Sequence, residues 1–92
     1  GLVLGRIVSQ LINEAAFALG EGIGSPDDVD AGLELGLNHP RGPVRWSEEM
    51  GTDHALAVID ALYDERREER YRAAPLLRRA VALGRSLREL AS

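Results

Sequence analysis

The spacing of apolar residues over positions 2–20 constrains the fold of this chain more than any other feature. Apolar side chains recur every three or four residues, at Leu4, Ile7, Leu11, Ala15 and Leu19. That interval over five turns is the period of an α-helix with a wide apolar face. The pattern therefore predicts one long helix that ends in the glycine-rich stretch beginning at Gly20.

The same helix is apolar around much of its circumference, because Leu2, Val3, Val8 and Ile12 fall outside a single stripe. A helix of this kind is buried on more than one side. Two interpretations remain open at this stage. Either the second side meets a partner surface, from another domain or another copy, or the helix is central and ringed by the other helices of its own domain.

Prolines and helix-capping residues divide the rest of the chain. The predicted starts are Pro26 with Ser25 as N-cap, Pro43, Thr52 as an N-cap, and Pro75. The segment between the second and third helices is too rich in glycine and proline to continue either of them. Nothing alternates with period two, so the fold class is all-α with about five helices and no internal repeat.

Length and composition bound the class of protein. Ninety-two residues fit one small domain, over 1–92, and 45% hydrophobic with 28% charged residues is typical of a globular protein. The absence of cysteine excludes a disulfide scaffold, a thiolate zinc site and a cysteine nucleophile. Apolar runs are too short for a membrane span and no signal peptide is visible, so we expect a cytoplasmic protein. Because the chain begins in mid-pattern, we expect it to be a piece of something longer.

Charge is distributed unevenly along the chain. The net charge is −4, but residues 1–63 carry three arginines and ten acids, whereas residues 64–92 carry eight arginines and five acids. An acidic protein with an isoelectric point near 5.1 is a poor candidate for nucleic-acid binding. The arginine-rich part is better explained as a solvated helix face with many ion pairs than as a phosphate-binding surface.

No catalytic or metal-binding motif stands out among the residues. The stretch Gly20–Gly24 follows a predicted helix and not a strand, so it lacks the context of a nucleotide-binding loop. His39 is more simply a packing residue than a general acid or base, and His54 a surface residue. The acids Asp27, Asp28 and Asp30 are explained by helix capping without a bound cation, so no metal site is predicted.

Taken together in order, three stretches nevertheless resemble the C-terminal domain of 3-hydroxyacyl-CoA dehydrogenases, in particular the bacterial 3-hydroxybutyryl-CoA branch. They are Gly1-Leu2-Val3-Leu4-Gly5-Arg6 followed by Asn13-Glu14-Ala15, then Gly22-Ile23-Gly24-Ser25-Pro26-Asp27-Asp28-Val29-Asp30, then Leu35-Gly36-Leu37-Asn38-His39-Pro40-Arg41-Gly42-Pro43. The later stretches Glu69-Arg70-Tyr71-Arg72 and Pro75-Leu76-Leu77-Arg78-Arg79 are similar to that domain's closing segment.

The resemblance implies a fold and a parent enzyme. The fold is all-α around one long central helix, similar to the C-terminal domain of 6-phosphogluconate dehydrogenase. The parent would be an NAD-dependent oxidoreductase of fatty acid metabolism, acting on an acyl-CoA. Its NAD and catalytic residues would belong to a separate Rossmann domain, so this chain would bind no cofactor itself. As partners, the resemblance implies a homodimer, or packing against a sister helical domain and the Rossmann domain.

One departure from the family pattern changes the expected role. The family has an asparagine immediately before the arginine of its opening motif, and here that position is Gly5, before Arg6. Glycine has no side chain to donate or accept a hydrogen bond, so no catalytic residue is carried over. The family's glycine-rich, aromatic closing motif is also absent. The chain is thus more similar to the second, non-catalytic copy that some family members carry in tandem.

Two alternatives remain. The loop over residues 36–43 would contact acyl-CoA in a substrate-proximal domain, with His39 and Arg41 as the contacting residues. Otherwise the chain would be a free-standing helical interaction module.

Overall fold

A computed structural model describes residues 2–37 and 42–91, and within those ranges the protein is helical and has no strand. The helices are α1 (Leu2–Gly20), α2 (Pro26–Leu37), α3 (Pro43–Met50), α4 (Thr52–Arg66), α5 (Pro75–Leu83) and α6 (Leu87–Ala91), with a 3-10 turn at Glu69–Tyr71 between α4 and α5. The predicted all-α fold is confirmed, four of the six helices begin where the sequence indicated, and α4 begins one residue earlier. The short helix α6 was not predicted. None of the helices described is long and apolar enough to cross a membrane.

The long helix α1 lies at the centre of the domain and contacts each of the other five helices. Val8 and Ile12 are 4% and 0% exposed, in a core shared with α3, α4, α5 and α6. Of the two interpretations of its apolar circumference, the central helix accounts for these two residues. The interpretation that they face a partner is wrong for them, because the domain's own helices cover both sides of α1. Ile7 remains 50% exposed.

The start of α2 follows the predicted capping pattern. The Asp28 N–H donates to Ser25 Oγ at 3.1 Å, and the Ser25 N–H lies 3.5 Å from Asp28 Oδ2. This reciprocal arrangement satisfies N–H groups that the first turn of a helix leaves without partners.

The start of α4 differs from its prediction. Thr52 is the first residue of the helix, and Gly51 is the N-cap, with no side-chain capping bond. Gly51 has a φ of 99°, a conformation that favours glycine, and it both ends α3 and begins α4. The prediction of Thr52 as the N-cap is wrong, because the backbone changes direction between α3 and α4 at Gly51 alone.

The end of α5 explains the sixth helix. Gly84 takes the left-handed conformation with φ 65°, and its N–H and that of Arg85 return to carbonyls of the last turn of α5. Leu87 then enters the core at 0% exposure. A reciprocal pair of hydrogen bonds between Ser86 and Glu89 caps α6, which is how five residues can start a new helix.

Exposed arginines in the last third of the chain pair with acids, as expected for a solvated face. The pairs described are Arg72 with Glu69, Arg78 with Asp60, Arg85 with Glu89, and Arg88 with Asp27 and Glu48. Pairs this exposed contribute little to stability individually, typically about 0–1 kcal/mol.

One buried amide ties the second half of the chain to the central helix. Asn13 is 3% exposed, and its Nδ2 donates to the Arg72 carbonyl at 2.8 Å while its Oδ1 accepts from the Ala74 N–H at 2.7 Å. The backbone of the extended segment before α5 thus forms hydrogen bonds with a side chain of α1. Its position therefore depends on Asn13.

Replacing Asn13 by leucine is expected to lower the free energy of unfolding by about 2–3 kcal/mol, since it leaves the buried Ala74 N–H without an acceptor. Urea unfolding followed by circular dichroism measures the change. Gln10→Leu on the same helix, where Gln10 is only half-buried, is the control and should change stability much less. Equal losses in the two variants would contradict a special role for Asn13.

Candidate functional site

The connection between α2 and α3 is held by a buried carboxylate of α2. Asp30 Oδ1 accepts from the Val44 N–H at 2.7 Å, and Asp30 Oδ2 accepts from the Arg45 N–H at 3.0 Å. Both donors belong to the first turn of α3, whose N-cap Gly42 offers no side chain. A carboxylate across the connection thus caps α3 in place of a local residue.

A second carboxylate of α2 holds the residue just before α3. Glu34 Oε1 accepts from the Gly42 N–H at 2.9 Å. A side chain at position 42 would overlap Asp30, so the chain approaches the carboxylate this closely only because the residue is glycine. Asp30 and Glu34 together fix the position of Gly42 and of the first turn of α3 relative to α2.

Burial gives Asp30 unusual electrostatics. Desolvation raises the pKa of its carboxyl above the ordinary 3.8, while the Val44 and Arg45 N–H groups and the nearby Arg88 guanidinium lower it in part. Glu34 adds a smaller upward contribution. Asp30 was predicted to cap its own helix, α2. That prediction is wrong, because its side chain turns toward α3, where it accepts from the Val44 and Arg45 N–H groups of the first turn.

The two predicted substrate-proximal residues, His39 and Arg41, lie outside the described residues. The flanking residues Leu37 and Gly42 are described, and Gly42 is held by α2. The role of His39 and Arg41 therefore stays a prediction.

A second candidate site is the groove between the first turns of α1 and the middle of α4. It has a volume of about 300 Å³ and is lined by Gly5, Arg6, His54, Val58, Ala61, Leu62 and Glu65. A Cβ at Gly5 would meet no heavy atom within 4 Å. Position 5 therefore has room for a side chain that this chain does not supply. His54 is exposed on α4 beside this groove, in agreement with its prediction as a surface residue.

The outward face of α1 is a third candidate surface. Ile7, Leu11, Glu14 and Ala18 follow one another at intervals of three and four residues, and Ile7 and Leu11 are only partly covered. Beside Ala18 this face continues into a shallow, mainly apolar groove against Val29 and Gly32 of α2, with a volume of about 330 Å³. We refer to these residues as the α1 outer face.

The glycine-rich turn between α1 and α2 does not fit a phosphate. The N–H groups of Glu21, Gly22 and Ile23 donate to carbonyls at the end of α1, at 3.0 to 3.1 Å. They close the helix in the manner of a C-cap, so they are not free to hold a pyrophosphate.

Comparison with known proteins agrees with this architecture. The family model of the 3-hydroxyacyl-CoA dehydrogenase C-terminal domain matches residues 1–91. The chain belongs to this family. Gly5, which the resemblance predicts at the position of the family's asparagine, lies at the groove whose walls come from α1 and α4.

Named relatives and solved structures are dehydrogenases of that kind. The chain is 37% identical over 84 residues to a probable 3-hydroxybutyryl-CoA dehydrogenase of Deinococcus radiodurans, covering 91% of this chain and 30% of that protein. It is 39% identical over 83 residues to the 3-hydroxyadipyl-CoA dehydrogenase of Escherichia coli (strain K12), covering 90% of this chain and 18% of that protein. The crystal structure of (S)-3-hydroxybutyryl-CoA dehydrogenase from Ralstonia eutropha matches with a TM-score of 0.80 and 47% identity, over 86% of this chain and 28% of that one.

The chain therefore spans less than a third of the length of these relatives. The reactions of these relatives are therefore carried out by proteins at least three times as long as the region that each shares with this chain.

Sequence reasoning did not find the polar residues that organise the site. Asp30 and Glu34 lie one turn apart on α2, which is a detectable signal for a shared face. No pattern within α2 indicates that their carboxylate oxygens accept hydrogen bonds from residues 42–45, because those N–H donors lie at least 8 residues further along the chain. Gly42 was recognisable only as a turn residue.

Two glycine substitutions are expected to act in opposite directions. Gly5→Ala should raise the free energy of unfolding by about 0.5 kcal/mol, because alanine favours the helix and the site is open. Gly42→Ala should lower it by about 2 kcal/mol, because the new Cβ overlaps Asp30. Urea unfolding of both variants measures the difference. If Gly42→Ala is tolerated as well as Gly5→Ala, the close approach to Asp30 is not needed.

Proposed function

We propose that the chain is a non-catalytic helical packing domain of an NAD-dependent 3-hydroxyacyl-CoA dehydrogenase, acting on an acyl-CoA such as 3-hydroxybutyryl-CoA. On this proposal residues 1–92 form one helical domain of a cytoplasmic enzyme of fatty acid metabolism. NAD and the reacting groups are held by a Rossmann domain outside it. The observation that carries the proposal is Gly5, which leaves the groove between α1 and α4 without the family's asparagine amide.

The chemistry of the groove supports a role other than catalysis. Apart from Gly5, the groove is lined by the apolar side chains Val58, Ala61 and Leu62 and by the polar side chains Arg6, His54 and Glu65. A glycine can neither hold a substrate oxygen nor orient a catalytic partner. A groove with apolar side chains and no side chain at position 5 favours contact with another protein surface instead.

The α1 outer face supports packing as the remaining role. Ile7 is 50% exposed near the start of a helix that is otherwise the centre of the core. Leu11 and the apolar groove beside Ala18 extend the same face along α1. Covering this face with a second copy, or with a sister helical domain of similar shape, removes apolar surface from water at about 25 cal/mol per Å². A two-fold contact of this kind presents the same face from both sides.

Sedimentation equilibrium of the 92-residue chain over a concentration series tests this role. We expect a dimer near twice 10.0 kDa, and we expect Ile7→Glu to shift the mass to that of a monomer, because it places a charge in the buried contact. Ile23→Glu is the matched control, since Ile23 is 70% exposed in the turn after α1, away from the α1 outer face. A chain that is monomeric at every concentration, or an Ile23→Glu variant that dissociates equally, contradicts the proposal.

A second candidate function is favoured by the carboxylates that hold Gly42. Asp30 and Glu34 fix the chain immediately after Arg41. Such an anchor is what a loop needs to present a side chain at a defined place. On this alternative the chain is substrate-proximal, and Arg41 and His39 contact the acyl-CoA.

Arg41→Ala in the complete dehydrogenase tests this alternative. A lost contact between a guanidinium and a phosphate of CoA should raise KM for the CoA substrate about tenfold, with kcat little changed. Arg45→Ala removes the same charge from an exposed position on α3 and is the control. An unchanged KM in Arg41→Ala would exclude the contact and leave the packing role.

A further inference from the structure

One arginine of the last helix reaches three carboxylates on two other helices. Arg88 Nη1 donates to Asp27 Oδ1 at 2.6 Å, and its Nε donates to Glu48 Oε1 at 3.0 Å. Its Nη2 lies 4.0 Å from Asp30 Oδ2. The planar guanidinium thus lies between α2, which carries Asp27 and Asp30, and α3, which carries Glu48.

The three carboxylates differ in how far water screens them. The side chain of Asp27 is 86% exposed and that of Glu48 38%, whereas that of Asp30 is only 9% exposed. The contacts to Asp27 and Glu48 therefore serve mainly to orient the guanidinium. The charge of Arg88 lowers the pKa of Asp30, and water screens this interaction less than those with the more exposed Asp27 and Glu48.

The backbone of α6 holds Arg88 in this position independently of its charge. The neighbouring Leu87 is fully buried in the core, and the Ser86–Glu89 pair caps the helix. The packed helix α6 therefore holds the guanidinium near Asp30. Whenever α6 is docked, a positive charge stands 4.0 Å from the carboxylate that caps α3.

We propose that Arg88 is a positioning residue for the first turn of α3. It acts through Asp30, so that docking of α6 and capping of the first turn of α3 are coupled across nearly 60 positions of sequence. Asp30 carries the negative charge that the Val44 and Arg45 N–H groups bind, and Arg88 stabilises that charge in a place where burial disfavours it. Loss of Arg88 therefore weakens a helix cap whose two hydrogen bonds Arg88 does not itself make.

Other charged groups near Asp30 leave Arg88 as the stabilising cation. Glu34, one turn along α2, acts in the opposite direction. Asp27 and Glu48, the other acids around the guanidinium, are negative as well. Among the described residues, Arg88 is the cation whose charge lowers the pKa of Asp30.

The Val44 and Arg45 amide protons report directly on Asp30, because they donate to it. Their chemical shifts in the ¹⁵N-labelled 92-residue chain are followed between pH 2.5 and 7, a window that extends further above an ordinary carboxyl pKa than below it, because burial raises the pKa of Asp30. In Arg88→Gln we expect the titration midpoint to rise, because the cation that favours the ionised carboxylate of Asp30 is lost. Arg85→Gln is the matched control. It removes the same charge three residues earlier, from an arginine that pairs with Glu89, and should leave the midpoint unchanged.

Hydrogen exchange of the same two amides tests the coupling of structure. We expect Arg88→Gln to speed exchange at Val44 and Arg45 roughly threefold to tenfold, the range that a partly buried ion pair supplies. In an Asp30→Asn background the same substitution should add little, because the carboxylate through which it acts is gone.

The outcomes separate the proposal from a merely local role. Faster exchange confined to residues 87–91, or an Arg88→Gln effect on Val44 that is undiminished in Asp30→Asn, overturns it. If circular dichroism shows that Arg88→Gln does not fold, Arg88→Lys replaces it. Lysine keeps the charge but loses the planar contact with Asp27 and Glu48. The midpoint and the exchange rates at Val44 and Arg45 should then both stay near those of the unsubstituted chain, and faster exchange at an unchanged midpoint overturns the proposal.

Discussion

The burial of α1 is the constraint on which the rest of this structure depends. A helix of 19 residues with apolar side chains on most of its circumference can be covered in a small domain only if the other helices surround it. Each of them contacts α1. A core of this kind leaves few polar groups inside, and Asn13 is the one on α1 that binds the backbone of a distant segment. Because both of its hydrogen bonds go to residues 72–74, the path of the chain into α5 follows from one amide on α1.

Around this centre, long-range order comes from a few buried polar contacts and not from the many exposed ion pairs. Exposed pairs such as Arg78 with Asp60 are screened by water and cost side-chain entropy. Asp30 is different, because it is buried and its two oxygens serve two N–H groups that have no other acceptor. Asp30 consequently joins α2 to the first turn of α3 through buried polar contacts, and Arg88 ties it to α6.

These features fit a domain with the family's architecture and with Gly5 at the groove between α1 and α4. The fold and the family match over 91 residues are those of 3-hydroxyacyl-CoA dehydrogenase C-terminal domains. A packing role requires less exact placement of side chains than a catalytic role does. It needs an apolar face with the right shape, which the α1 outer face offers, whereas a catalytic role needs a polar group at a fixed point. On the proposed function, selection on this chain acts on surfaces and on the core behind them.

The sequence by itself determined the local structure. The three-and-four spacing of α1, the Ser25 cap and the prolines that begin α2, α3 and α5 act within a few residues, so they can be read without knowing the fold. The identity of Gly5 and the family resemblance were equally visible in the sequence. Only the tertiary structure decided that Val8 and Ile12 face the domain's own helices, that Gly51 and not Thr52 caps α4, and that Asp30 caps α3 and not its own helix. His39 and Arg41 remain predictions. The physical reason for the division is range: a helix period or a cap is fixed by neighbours in sequence, whereas Asp30 reaches 14 residues to Val44 and Asn13 reaches 61 to Ala74, and such partners meet only once the core has formed.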